Sequence, residues 1–263
     1  MGSSPTRRTK PTTLTHPSST VERALALHAT GYNISQISRA TAVNRTTIRD
    51  WIAGRHVHLD RVGCFGCDDR AELLTGEYAY LLGLYLGDGC LSPGPRDVWR
   101  LRIVQDTHYP GLIALCQETI QAISGNKAGI VAKVGCVEIY GYWKHWTHLF
   151  PQAGDGPKHA RSIELSPWQA HMVEMCPEQF LRGLVHSDGC RGVNKVRSRL
   201  RTGVYEYSYP RYSFGQKSDQ IRRMFTDTCD AMGIHWTTAN RWNIAVSRRA
   251  DVAFLDTFIG PKH

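Results

Sequence analysis

The chain of 263 residues is long enough for one large domain and a small one, and 41% of its residues are hydrophobic, as in proteins with a packed core. Its 32 lysines and arginines exceed its 23 acids, giving a formal net charge of +9 that favours a polyanionic partner, with nucleic acid the first candidate. No apolar run approaches the roughly 18 to 20 residues that span a membrane, and the eight cysteines are scattered, so neither a membrane protein nor a disulfide framework is expected.

The N-terminal part of the chain divides into a tail and a helical unit. Residues 1–18 are rich in Ser, Thr, Pro and Arg and are predicted to be disordered; they lack the apolar stretch of a secretory signal. Residues 19–54 predict three short helices. The first would end near Gly31, the second would be capped by Ser35, and the third would follow a turn at 42–44.

The run from Ile34 to Ile52 resembles the helix-turn-helix of recombinase and resolvase DNA-binding modules. Ala42 opens the turn, Val43 lies inside it, and Trp51 closes the apolar face of the third helix. The resemblance implies that the third helix lies in the major groove of DNA. Its outward side chains would be Arg45, Thr46 and Arg49. The alternative is a three-helix bundle used for protein contacts.

Residues 55–75 form a connector that contains His56 and His58 and, after five intervening residues, Cys64 and Cys67. Histidine and cysteine are zinc ligands, and four of them complete a tetrahedral structural site. The second cysteine pair of a typical zinc module is missing, so an ordinary linker is the alternative to a zinc knuckle.

A short phrase occurs twice in the remainder of the chain. Residues 81–89 read LLGLYLGDG and residues 181–189 read LRGLVHSDG. Each predicts an apolar helix that ends in an acid followed by Gly, and the repetition indicates two duplicated halves facing each other. Asp88 and Asp188 would then meet where the halves join. Two carboxylates in that position suit divalent metal ions held against a phosphate.

The elements that follow each phrase recur in the same order. In the first half they are a strand at 98–105, a helix at 109–123, a strand pair at 129–142 and a helix at 144–150. In the second half they are a strand at 205–215, a helix at 218–232, a strand pair at 235–247 and a helix at 250–258, with an extra basic loop at 191–203. The tetrapeptide GPKH, at 156–159 and again at 260–263, is a further sign of duplication.

These residues resemble the LAGLIDADG homing endonucleases in their single-chain form with two motifs. The resemblance covers residues 76–263 and implies an α+β fold of two pseudo-symmetric αββαββα repeats, 76–160 and 161–263, whose sheets form a saddle over DNA. The small all-α helix-turn-helix domain precedes them. Gly83 and Gly183 would allow the motif helices to approach closely. His186 is expected to pack between them, with a contact to the metal site as the alternative.

The resemblance implies a sequence-specific, double-strand DNA endonuclease that uses Mg2+, with Mn2+ substituting and Ca2+ supporting binding without cleavage. Because the halves differ in loops and surface residues, the protein would be a monomer on a long, non-palindromic duplex, with no obligate protein partner and no membrane. It would be cytoplasmic and nucleoid-associated, of prokaryotic or phage origin. The alternatives are a non-cleaving DNA-binding transcriptional regulator on the same fold and an intron RNA maturase.

The resemblance also assigns roles to residues of the site. Asp88 and Asp188 would hold metal with the backbone carbonyls of Gly87 and Ser187. Gln105 and Gln216 would orient the attacking water, with a solvent- or DNA-facing polar residue as the alternative. The cation beside the scissile phosphate would be Lys144 in the first half and Arg249 or Arg248 in the second.

The saddle would contact DNA through basic residues of both sheets, most of them at phosphates, so binding should weaken steeply with salt. These residues are Arg100, Arg102 and Lys133 in the first half and Arg197, Arg199, Arg201, Arg211 and Arg241 in the second.

Overall fold

The computed structural model describes residues 18–53, 75–260 and 262. They belong to two compact units that divide near residue 61. The predicted tail, apart from Ser18, and the 55–75 connector, apart from Thr75, lie outside the described residues. The four candidate zinc ligands, His56, His58, Cys64 and Cys67, therefore stay a prediction. No helix in the described part of the chain is both long and apolar enough to cross a membrane.

The first unit contains three helices, α1 (Ser18–Ala29), α2 (Ile34–Thr41) and α3 (Arg45–Ile52). One residue of the turn before α3, Ala42, adopts the left-handed conformation with φ of 55°, and this lets α3 leave in a new direction. The helices enclose a small apolar core formed by Val21, Ala24, Ile37, Val43, Ile48 and Trp51.

The predicted cap of α2 was wrong by two residues. Asn33, not Ser35, is the N-cap: its side chain accepts the backbone N–H of Gln36, and the Gln36 side chain accepts the backbone N–H of Asn33. This reciprocal pair satisfies two donors that the first turn of a helix leaves without partners. Ser35 lies inside that first turn.

The second unit contains the same αββαββα order twice, which confirms the predicted α+β fold. The first repeat consists of α4 (Thr75–Asp88), β1 (Gly89–Pro93), β2 (Trp99–Asp106), α5 (Pro110–Ser124), β3 (Gly129–Lys133), β4 (Cys136–Trp143) and α6 (Trp146–Leu149). The helix α7 (Pro167–Met175), which the sequence patterns did not predict, follows. The second repeat consists of α8 (Pro177–Asp188), β5 (Gly189–Leu200), β6 (Gly203–Gly215), α9 (Asp219–Ala231), β7 (Thr237–Asn240), β8 (Asn243–Val246) and α10 (Arg249–Phe258).

Each repeat forms one antiparallel four-stranded sheet. The strand orders are β1-β2-β4-β3 and β5-β6-β8-β7, so the two sheets have equivalent topologies. In the first sheet Leu101 and Ile103 are fully buried on one face. We call the opposite face, which carries Arg100 and Arg102, the open face. In the second sheet Tyr212 and Phe214 are buried, and the open face carries Arg211.

The segment 191–203, predicted to be a loop, is instead part of a long hairpin. β5 and β6 pair continuously from Gly189 opposite Phe214 to Leu200 opposite Gly203. β8 joins β6 only along Tyr212–Gly215, so the outer part of the hairpin is a two-stranded ribbon beyond the sheet. The segment 191–203 was not predicted as a strand because it is rich in Arg and Lys. A ribbon that is exposed on both faces lacks the alternation of apolar and polar residues by which a half-buried strand is recognised.

The motif helices α4 and α8 pack against each other and form the seam between the repeats. All residues from Tyr78 to Leu86 are buried, as the apolar sequence predicted. His186 packs in this seam: its Nε2 donates to the carbonyl of Ile259 at 2.9 Å, and its Nδ1 accepts from the hydroxyl of Tyr80 at 2.9 Å.

Two glycines set how closely these helices approach. A Cβ on Gly83 would lie 2.6 Å from the carbonyl oxygen of Phe180, and a Cβ on Gly183 would collide with the carbonyl oxygen of Tyr80. Both obstacles are backbone atoms of the facing helix, so they cannot rotate away. The contact therefore requires glycine at both positions.

Replacing Gly83 or Gly183 with Ala is expected to lower the free energy of unfolding by about 3 kcal/mol, because the helices must separate to admit the methyl group. Gly76→Ala is the matched control, since Gly76 lies in the same helix and a Cβ there would meet only the Gln179 side chain at 3.8 Å. It should change stability by less than about 1 kcal/mol. Urea denaturation measures all three variants, and equal effects at Gly76 and Gly83 would contradict the close-packing argument.

Candidate active site

The motif helices bring their terminal acids to the seam. Asp88 is the last residue of α4 and Asp188 the last residue of α8. A Cβ built on Gly87 would lie 2.8 Å from Oδ2 of Asp188, so the carboxylate of one repeat lies against the motif backbone of the other. The structure thus assembles, from two segments a hundred residues apart, a pair of acids at one place.

The surroundings of both acids disfavour their charged forms. Burial, followed by the nearby charge of Asp188, raises the pKa of Asp88 to about 6. Burial also raises the pKa of Asp188, while the charges of Lys158 and Lys262 act against that rise. The partial negative charge at the C-terminal end of each helix adds to the repulsion. A bound divalent cation would remove this conflict.

Each acid receives one glutamine from the sheet of its own repeat. Nε2 of Gln216 donates to Oδ2 of Asp188 at 2.6 Å, and Nε2 of Gln105 lies at 3.5 Å from Oδ2 of Asp88, a long contact. Gln105 lies near the end of β2 and Gln216 directly follows β6, so the two occupy equivalent positions. The resemblance gave these two residues the same role, and the structure places each beside the acid of its own repeat.

Each acid also lies beside a lysine to which sequence reasoning gave no role. Nζ of Lys158 donates to the carbonyls of Tyr85, of Gly89 at 2.6 Å and of Gly87 at 3.3 Å. In the second repeat Nζ of Lys262 donates to the carbonyls of Gly189 at 2.6 Å and of Ser187 at 3.4 Å. The two ammonium groups therefore cap the ends of the two motif helices in the same way.

Burial shifts both lysines toward neutrality. It lowers the pKa of Lys158 to about 8, against the opposing charges of Asp188 and Asp88. It also lowers the pKa of Lys262. The sequence contained the signal for these residues, because they are the lysines of the repeated GPKH tetrapeptide. That repeat was interpreted only as a sign of duplication.

The cations predicted from the resemblance are exposed residues of other elements. Lys144 follows β4 and is exposed, Arg249 is the first residue of α10, and Arg248 is its N-cap; both arginines are exposed. The structure thus offers Lys158 and Lys262 as cations at the acids in addition to the predicted set.

The donor set fits Mg2+ better than a softer metal. Among residues 18–53, 75–260 and 262, no group of three or more His, Cys, Asp or Glu side chains could hold a metal ion. Two carboxylates leave most coordination positions to water, backbone carbonyls and substrate phosphate, which is the arrangement Mg2+ prefers. The carbonyls of Gly87 and Ser187 have a second lone pair beyond their long contacts with the lysines, so they remain candidate ligands.

The predicted DNA-contacting residues of the first repeat share the open face. Arg100 and Arg102 come from β2, Lys133 comes from β3, and all three side chains form ion pairs with Glu138 of β4. No sequence pattern marks Glu138 as part of this surface.

The predicted residues of the second repeat lie on different faces. Alternation along β5 and β6 places Arg197 and Arg199 on the side that continues from the buried Tyr212, whereas Arg211 lies on the open face. The open face of the ribbon also carries three tyrosines that the sequence analysis did not select, namely Tyr205, Tyr207 and Tyr209.

Two further candidates of the second repeat lie in turns between strands. Arg201 lies in the turn of the ribbon, between β5 and β6. Arg241 lies in the turn between β7 and β8, with its guanidinium 5.4 Å from the ring centre of Trp242. Both arginines are exposed.

The helical unit exposes the residues predicted for its DNA contact. Arg45, Thr46 and Arg49 are all exposed on α3. The side chain of Asn44 accepts the backbone N–H of Thr46 at 3.1 Å and caps the helix immediately before them.

Comparison with known proteins gives matches among solved structures. No family model matches the chain, and neither does any curated protein. The LAGLIDADG meganuclease I-AabMI, solved bound to uncleaved DNA, is 14% identical over 69% of this chain and 82% of that one, with a TM-score of 0.46. Mesophilic variants of the homing endonuclease I-DmoI are 17% identical over 72% and 94%, with a TM-score of 0.46. The N-terminal LAGLIDADG domain of DUF199/WhiA is 12% identical over 72% and 83%, with a TM-score of 0.43. The chain is thus similar to solved LAGLIDADG proteins, the family that its two motifs resemble.

Proposed function

We propose that this chain is a metal-dependent DNA endonuclease that hydrolyses one phosphodiester in each strand of a long, non-palindromic duplex. The observation that carries the proposal is the twofold repetition of a complete set of polar groups at one seam. Each repeat supplies an acid, a glutamine and a lysine: Asp88, Gln105 and Lys158 in the first, and Asp188, Gln216 and Lys262 in the second.

Cleavage of a phosphodiester needs a water activated for attack and charge stabilised on the phosphate and on the leaving 3′ oxygen. Mg2+, when bound, supplies both water activation and charge neutralisation. Asp88 and Asp188 would hold the ion, and their mutual repulsion supports that assignment, since a pair of buried acids without a cation destabilises the fold.

The remaining residues act on the substrate and on the water. Gln216 holds the carboxylate of Asp188 through its amide N–H, and Gln105 lies beside Asp88 at a longer distance. Both amides would orient a water for attack. Lys158 and Lys262 would stabilise the negative charge that develops on the phosphate. The lowered pKa of Lys158 also suits it to donate a proton to the leaving oxygen and to recover it near neutral pH.

One chain carries both halves of the site, so a monomer suffices to cut both strands. The substrate would be double-stranded DNA bound along the open faces of the two sheets, in a cytoplasmic, nucleoid-associated setting. The open faces of the two sheets differ: the position of Arg102 in the first sheet is occupied by Ser213 in the second. This difference supports an asymmetric target.

The helix α3 would add a second contact with DNA outside the cleavage site. Replacing Arg45 and Arg49 together with Ala should weaken binding to the selected target and reduce the slope of log affinity against log salt by about 2, since each lost phosphate contact lowers it by about 0.9. Cleavage at saturating protein should be unchanged. Titrations by fluorescence anisotropy at several salt concentrations measure this, and an unaltered slope would assign the helical unit to another partner.

The proposal is tested by selecting duplexes that the protein binds from a randomised pool and incubating them with Mg2+, Mn2+ or Ca2+. We expect double-strand cleavage with Mg2+ and Mn2+ and binding alone with Ca2+. Tight, selective binding without cleavage in any metal would replace the endonuclease with a DNA-binding regulator. Preference for structured RNA over every duplex would favour an RNA-processing role.

A further inference from the structure

Four charged side chains form a cluster at the centre of the open face of the first sheet. Glu138 forms ion pairs with Lys133 at 2.8 Å, with Arg102 at 3.8 Å and with Arg100. The Glu138 side chain is only 4% exposed, whereas those of the three cations are 26% to 50% exposed. The acid thus lies beneath the cations, which cover it from solvent.

Glu138 is held in its charged form. The hydrogen bond from Lys133 and the charges of Arg100 and Arg102 keep its pKa below the ordinary value, despite the opposing effect of burial. Three cations and one carboxylate leave the cluster with a net charge of +2. An acid on a surface that meets phosphate would repel DNA, and here three cations screen it.

The cluster also fixes the directions of the guanidinium groups. The Arg100 guanidinium lies 4.4 Å from the ring centre of Tyr140 and 5.8 Å from that of Tyr142, in addition to its ion pair. The Nε atoms of Arg100 and Arg102 are buried and have no hydrogen-bond partner. These buried Nε atoms do not face DNA, but the ion pairs with Glu138 and, for Arg100, the two rings favour one orientation of each guanidinium group. The terminal N–H groups that Glu138 does not use suit contacts with a base or a phosphate.

The second repeat lacks this acid. Glu138 lies opposite Val104, the residue before Gln105, and the equivalent pairing in the second sheet places Asn243 opposite Gly215, the residue before Gln216. A neutral amide thus occupies the position of Glu138. The second repeat has a neutral side chain there, so the fold itself does not require an acid at this position.

We propose that Glu138 is a specificity-determining positioning residue of the DNA-binding face: it orients Arg100, Arg102 and Lys133 toward one pattern of target groups and lowers the attraction of this face for unrelated DNA. The inference rests on the proposed function, because it assumes that the open face binds duplex DNA.

Two variants separate the charge of Glu138 from its geometry. Glu138→Gln removes the charge, so binding to an unrelated duplex should strengthen severalfold and depend more steeply on salt. Glu138→Asp retains the charge but shortens the reach to the cations, so binding to the unrelated duplex should not change. In both variants the ratio of affinities for the selected and unrelated duplexes should fall about tenfold or more, because the arginines lose their set orientation.

Glu206→Gln is the matched control. Glu206 pairs with Arg197 at 3.8 Å on the ribbon, and both side chains are largely exposed, so this variant makes the same change in net charge without a buried cluster. Because Glu206 lies on the side of the ribbon opposite Tyr205 and Tyr207, this variant should affect both duplexes alike and leave the ratio of their affinities unchanged.

The experiment measures dissociation constants for the two duplexes in Ca2+ at several salt concentrations, with thermal melting as a check of folding. An unchanged ratio in folded Glu138→Asp, or a ratio in Glu138→Gln no different from that of Glu206→Gln, would overturn the inference. If Glu138→Gln does not fold, Glu138→Asp alone decides. A wild-type protein that selects no duplex at all would instead overturn the proposed function.

Discussion

Asp88→Asn and Asp188→Asn are each expected to abolish double-strand cleavage while DNA binding persists. Either change removes one of the two carboxylates that would hold the metal, and a loss of about 4 kcal/mol of transition-state stabilisation corresponds to roughly a thousandfold in rate. Binding should persist because the open faces of the sheets are unchanged. Single-turnover cleavage of the selected duplex in Mg2+, together with its dissociation constant in Ca2+, measures both effects.

The same substitutions should make the metal-free protein more stable. The folded-state pKa of Asp88 is raised to about 6, so the folded protein binds a proton at Asp88 more tightly than the unfolded chain does. Protonation of Asp88 therefore stabilises the fold at low pH, and this contribution is lost as the pH rises through 6. A pKa shift of one unit corresponds to about 1.36 kcal/mol, and the full value is reduced here because the carboxyl is partly exposed. At pH 7 the free energy of unfolding of Asp88→Asn should therefore exceed that of the wild type by about 1 kcal/mol. Mg2+ should raise the melting temperature of the wild type more than that of either variant.

Asp155→Asn is the control for both measurements, since Asp155 is exposed in the segment before Lys158. It should alter neither cleavage nor stability. Loss of cleavage with a loss of stability in the Asp88 and Asp188 variants would indicate that these acids support the fold and would contradict their role as metal ligands.

The second large effect is expected at the two lysines of the repeated GPKH tetrapeptide. Lys158→Met and Lys262→Met should each slow cleavage on the order of a hundredfold, because a cation preorganised at the site of developing charge contributes about 3 kcal/mol. Lys144→Met and Arg249→Met should change cleavage by less than about threefold, as expected for exposed residues that contact at most the DNA backbone.

Each lysine donates to carbonyls at the end of the motif helix of its own repeat, but its stronger charge interaction is with the acid of the other repeat. The two lysines therefore differ in their surroundings, and the two variants should impair the two strands unequally. Supercoiled plasmid carrying the target should therefore accumulate as a nicked circle with either single variant. Melting temperatures control for the loss of the hydrogen bonds that these lysines donate to the helix ends. A large loss at Lys144 with none at Lys158 would return the catalytic role to the residue predicted from the resemblance.

The sequence by itself determined the parts of the site that depend on local pattern and on repetition. The apolar run from Tyr78 to Leu86 predicted a buried helix, and the acid and Gly at its end predicted where it stops. Because a duplicated phrase implies a pseudo-twofold arrangement, Asp88 and Asp188 could be paired across a hundred residues. Gln105 and Gln216 followed from the resemblance that the two motifs support.

The tertiary structure alone decided which cations reach the acids and which face of a strand a basic residue occupies. Lys158 contacts Gly89 across 69 positions of the chain, a distance over which no periodicity operates, and Lys144 satisfied the sequence pattern equally well. The sequence of the ribbon does not show which residues share a face, because a strand exposed on both faces has no apolar side. Arg197 and Arg211 were therefore both predicted to contact DNA, although they lie on opposite faces. Glu138 could not be predicted from the sequence as a functional residue. A single acid in a strand gives no functional signal by itself, because its role depends on the three cations that different strands place beside it.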